Sequence, residues 1–233
     1  MTGSACALLG GLAVAGCSSS KPSADPSALL QKSQVASTAA GSVSFQDVSQ
    51  AGKLVQTVTG AVSATAAHES LRQTLGGAGI DVILNNGVIY FRGGAKSLAH
   101  TLGLPAQSAL NHAGGWIAIH EGDTPYKTIA ATLTLSAQID PFFPVAPGLT
   151  TLANRSLHGK TTTPVQGTAP ASSSGGRVTM FIEPTDSLPV GATLTSKAGT
   201  QRIDEVIAFR SWGAPVSTTA PSGAVDYRAA LKG

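Results

Sequence analysis

The chain has 233 residues and a formal net charge of +3, and only 12% of it is charged, about half the share usual in a soluble domain. Two Cys are too few for a disulfide scaffold, a 42% hydrophobic share is too apolar for an ordinary disordered chain, and 27 Gly with 13 Pro do not suit a coiled coil or long bundle. The bases Lys21, Lys53, Arg92, Lys127, Arg177 and Arg228 are spread out with acids between them, so the sequence has no basic stripe for nucleic acid.

At the amino terminus, Ala5 to Ala15 is an uncharged apolar run. It is too short for a membrane span, which needs about 17–25 residues, and suits the roughly 7–15 of a signal-peptide core. It ends in Val14-Ala15-Gly16-Cys17, followed by Ser18-Ser19-Ser20-Lys21-Pro22-Ser23. This resembles the bacterial lipobox, in which a branched apolar residue and two small residues precede the Cys that receives diacylglycerol. No Lys or Arg precedes the run, a departure from the usual signal. The expected division is residues 1–16 as lipoprotein signal peptide, 17–28 as lipidated Cys17 and flexible tether, and 29–233 as one domain. Processing at Cys17 also removes Cys6, which leaves no free thiol for a disulfide or metal.

After the tether, Pro26 to Ala40 reads as a helix. Alternating or β-rich runs follow at Ser42–Ser49, Lys53–Ser63 and His68–Leu75. Gly79 to Arg92 is the clearest local element, because Asn86-Gly87 suits a type I′ hairpin turn. That turn pairs Val82 with Phe91 and Leu84 with Ile89 on one apolar face, and sets Asp81 opposite Arg92 on the other. A slip of one residue would mix the two sets. Ala95 to Leu102 and Pro105 to Ala113 read as short helices, and Trp116–His120 as a strand. Thr124-Pro125 reads as the start of a helix with Tyr126, Ile129, Ala130, Leu133 and Ala137 on one face. Strands are then expected at Gly159–Val165, Arg177–Glu183, Val190–Ser196 and Arg202–Ser211, with Thr168 to Gly176 a surface loop. Strands grouped in runs predict an α+β fold with an antiparallel sheet, and so many strands must curl.

Few residues suggest chemistry. His68, His100, His112, His120 and His158 form no HExxH pair and read as surface or locally bonded side chains. Gly159-Lys160-Thr161 lacks the first Gly of a phosphate-binding loop, because Asn154 stands there. No G-x-S-x-G elbow or EF-hand loop occurs in the sequence. Glu183 and Asp186 flank Pro184 as a strand end and turn. The expectation is no catalytic residue, no metal site and no cofactor.

The element order, the lipobox and several phrases resemble the LolA-like superfamily, in particular the actinobacterial LppX/LprG-type lipoproteins. The phrases are Asn86-Gly87-Val88-Ile89-Tyr90-Phe91, Gly115-Trp116-Ile117, Leu188-Pro189-Val190, Phe209-Arg210-Ser211-Trp212-Gly213-Ala214-Pro215-Val216 and Ala220-Pro221. The resemblance implies a curved antiparallel half-barrel of about 8–11 strands with helices over its concave face. It also implies an envelope lipoprotein on the extracytoplasmic side of the cell membrane, binding lipid or glycolipid acyl chains as a non-catalytic carrier that exchanges cargo with an envelope transporter. The apolar set expected to line such a cavity is Val82, Leu84, Ile89, Phe91, Trp116, Ile129, Leu133, Phe142 and Phe143, residues equally suited to a plain core. The alternative is a surface or assembly lipoprotein that binds a protein partner and no lipid.

Overall fold

The computed structural model describes residues 25–73, 79–171 and 176–232. The apolar run and Cys17 lie outside them, as do residues 172–175 of the Thr168 to Gly176 loop. Helix α1 (Pro26–Ala40) starts where the Asp25 carboxylate accepts the Ser27 N–H at 3.0 Å, and stops at Gly41, whose φ of 72° ends the helix without a Cβ clash. The strands β1 (Ser42–Ala51), β2 (Leu54–Ser63), β3 (Ala66–Gln73), β4 (Ile80–Asn85) and β5 (Val88–Arg92) then form a meander. The β4–β5 register is the one the turn predicts, with Val82 opposite Phe91 and Leu84 opposite Ile89. Asn86 and Gly87 take φ values of 48° and 78°, as a type I′ turn requires.

Helices α2 (Ala95–Leu102) and α3 (Ala106–Asn111) lead to β6 (Trp116–Ile119). The single helix expected after Thr124 is two, α4 (Tyr126–Thr132) and α5 (Leu135–Ile139). The break falls at Thr134, whose hydroxyl accepts the Ala137 N–H at 3.1 Å and so caps α5. Thr124 does not cap α4; Pro125 occupies that position without a side-chain bond. A 3-10 turn (Asp140–Phe142) follows, then β7 (Val145–Thr151), β8 (Arg155–Leu157), β9 (Lys160–Thr168), β10 (Arg177–Ile182), β11 (Pro189–Ala198) and β12 (Gln201–Arg210). A two-residue strand, β13 (Val225–Asp226), and helix α6 (Tyr227–Leu231) close the chain.

The strands form one open, curved sheet of 13, in the order β13-β6-β5-β4-β3-β2-β1-β12-β11-β10-β9-β7, with β8 paired to β9 alone. Every pairing is antiparallel except that of β13 with β6. The count exceeds the expected 8–11 because β7, β8 and β13 carry no alternating apolar pattern. The fold is α+β, as expected.

Register sorts the side chains into two faces. The inner face runs through Ile117, Phe91 and Val82, through Val62 and Val43, then through Phe45, Phe209 and Ile207 to Ala192, Met180 and Val165. All of these are buried and belong to one core cluster. Gly60 makes room for it, since a Cβ there would lie 2.9 Å from the Phe45 ring. The outer face is mixed and carries the ion pairs. Asp81 accepts from Arg92 at 2.6 and 3.0 Å and from Arg72 at 3.1 Å, and Arg202 grips Asp204. The helices cover the inner face: Phe142 meets Phe209 edge-on at 6.4 Å, Gln138 donates to Glu69 at 2.9 Å, and α4 packs on β5. The α6 helix is fastened by Tyr227, whose hydroxyl donates to the Leu102 carbonyl at 3.0 Å, and by Arg228, which bonds buried Asp123 at 2.7 Å.

Candidate ligand-binding site

Of the nine apolar residues expected to line a cavity, Val82, Ile89, Phe91, Ile129, Leu133, Phe142 and Phe143 meet in the core cluster. Leu84 packs against it half-buried. The structure sets Trp116 apart from them. It pairs with Arg92 in the β5–β6 register, so it lies on the outer face, and the Arg92 guanidinium sits 4.6 Å over its ring. Ile117, one residue on, is the inward side chain of that strand. The helix-to-strand transition locates Trp116 in the chain but does not fix its parity.

The inner face is not covered evenly along its strands. Val43, Val62, Ala67 and Ile89 are fully buried, whereas Val58, Ile80 and Ile203 face the same way and stay half-buried. Three acids share this face: Asp47 follows Phe45 by two residues, Glu205 precedes Ile207 by two, and Glu69 stands opposite Val82. Burial first, then the neighbouring Glu205 carboxyl, pushes Asp47 up to about 8. Burial likewise raises Glu69 to about 7 and shifts Glu205 upward. Burial thus disfavours the charged form of all three carboxyls in this apolar surface, most strongly for Asp47. Sequence reading missed these acids, although the two-residue spacing of Asp47 from Phe45 and of Glu205 from Ile207 carried the signal for two of them.

The arrangement suits burial of apolar matter. Among the described residues no group of three His, Cys, Asp or Glu side chains is placed to hold a metal ion. No described helix is long and apolar enough to cross a membrane.

No protein-family model matches the chain, and no curated protein matches it. Among solved structures it is similar to LprF from Mycobacterium bovis, at 18% identity and a TM-score of 0.56, over 85% of this chain and 97% of that one. It is also similar to the lipoprotein LppX of Mycobacterium tuberculosis, at 16% identity and a TM-score of 0.50, over 83% of this chain and 99% of that one. The open sheet with its helix-covered inner face is thus the fold of the actinobacterial LppX/LprG-type lipoproteins.

Proposed function

We propose that the protein is an envelope lipoprotein, held to the extracytoplasmic side of the membrane through diacylglycerol on Cys17, that carries the acyl chains of a lipid or glycolipid between its sheet and helices. The observation that carries the reading is the inner face itself. It is apolar across most of the sheet, only half-buried around Val58, Ile80 and Ile203, and the acids it carries are shifted by burial toward their uncharged forms. Transfer of each CH₂ from water onto such a surface is favourable by about 0.8 kcal/mol, so a long chain needs no specific polar contact. The fold shared with LprF and LppX supports the same reading. The role requires no catalytic group, only shielding of the chain until a membrane or transporter receives it.

The test is to purify the full chain from a host making the native lipids and to extract it with solvent for lipid mass spectrometry. One non-covalent lipid per chain is the expected result. A folded protein that yields only background lipid would overturn the carrier reading in favour of a protein-binding lipoprotein.

A further inference from the structure

A second site stands at one end of the sheet, where β12 and β10 end and β9 and β11 begin. An open pocket of about 560 Å³ lies there. The two ends of the β11–β12 hairpin, Leu188–Val190 and Phe209–Trp212, form one side of it, and His158, Lys160, Glu183 and Asp186 form the other. Its wall is apolar and fixed: the Trp212 indole donates to the Pro189 carbonyl at 2.8 Å and lies 5.6 Å from the Phe209 ring. Ser211, the residue before Trp212, holds a left-handed backbone with φ 51°. That conformation is strained for a non-glycine residue and persists only where the surroundings enforce it.

The polar side of the pocket carries both signs of charge, but most of it is already engaged. The Lys160 ammonium is paired with Glu183. The Asp186 carboxylate accepts the Leu188 N–H of its own loop at 2.9 Å. Two groups remain. Among the described residues, no hydrogen bond or ion pair engages the side chain of Arg210 or the ring of His158. An unengaged guanidinium beside a preformed indole wall is complementary to a ligand that is anionic at one end and apolar at the other.

We propose that this pocket binds an anionic amphiphile, its carboxylate or phosphate head held by Arg210 with His158 beside it, and its apolar body laid on Trp212 and Val190. The site adjoins the inner face at Phe209 but does not rest on the acyl-carrier reading. A chain that yields no extractable lipid would leave the inference standing.

The experiment uses the full chain carrying Trp116→Phe, in which Trp212 is the one remaining indole of the two in the sequence. Dodecyl phosphate, kept below its micelle concentration, is titrated while Trp212 emission is followed. A saturable one-site change is expected. The further change Arg210→Gln should weaken binding at least about tenfold, as loss of a charge-assisted bond does. Arg210 is exposed, so an unaltered melting curve should accompany the loss. Neutral dodecyl maltoside should give no saturable change, and neither should inorganic phosphate at the same concentrations. An absent response to dodecyl phosphate, equal affinity in Arg210→Gln, or equal binding of the maltoside would overturn the proposal. Inorganic phosphate matching dodecyl phosphate would overturn the amphiphile and leave a simple anion site.

Discussion

Single carboxyl groups carry much of the physical character of the inner face. Asp47 is raised to about 8 by burial and by its contact with Glu205, and Glu69 to about 7 by burial. In the unfolded chain both titrate near 4. Their folded pKa values lie above the unfolded ones, so the stability they contribute is full below about pH 4 and is lost as pH rises toward 8. Acids with lowered pKa values, such as Asp123 and Glu183, act in the opposite sense, and their effect is confined to lower pH. Thermal melting should therefore fall between pH 5 and pH 8.5. Asp47→Asn should flatten that slope and stabilise the protein at pH 8.5 on the order of 1 kcal/mol, roughly 2–4 °C for a chain of this size. Melting curves of both proteins at three pH values check it, and a slope that the variant leaves unchanged would remove Asp47 from the account.

Among elements, the β4–β5 hairpin is the one that sequence chemistry specifies most fully. Gly87 sits at φ 78° with nothing within 4 Å of where a Cβ would stand, so Gly87→Ala tests backbone strain alone. It should cost about 1 kcal/mol, seen as a lower denaturation midpoint at unchanged slope. The same hairpin explains why so much of the fold was legible. Alternation with an Asn-Gly turn fixes pairing and face together, and the grouped strands give the antiparallel sheet. Elements without such a pattern were missed. The β7 strand contains Pro147 and Gly148 and pairs irregularly with β9, β8 has three residues, and β13 has two. The division of α4 from α5 rests on one Thr134 hydroxyl. The candidate site was legible as an apolar set but not as a surface. Facing depends on register, which placed Ile117 inward, Trp116 outward and three unforeseen acids among the core side chains.

On the scale of the whole molecule, the distribution of polarity fits a domain tethered beside a membrane. The outer face carries the ion pairs, the inner face is largely apolar, and α1 begins nine residues after Cys17. One acyl chain holds a protein only marginally, whereas two or more anchor it stably. Cys17→Ala should therefore move the protein from the membrane to the soluble fraction with its melting temperature unchanged. Fractionation and immunoblotting decide this, and a mutant that stays with the membrane would defeat the anchor.

The joint between β1 and β12 has a kinetic consequence. Residues 44–51 lie at the centre of the sheet, yet half of their hydrogen-bonding partners are residues 203–210. That pairing closes a loop spanning most of the chain, which makes it entropically costly and slow. Until the carboxy-terminal strands arrive, β1 is a free edge with half of its backbone pairing unmet. A polypeptide threaded amino-terminus first through a pore would thus remain unable to complete its centre until nearly all of it had emerged. The topology itself delays completion of the sheet until its last strands are free.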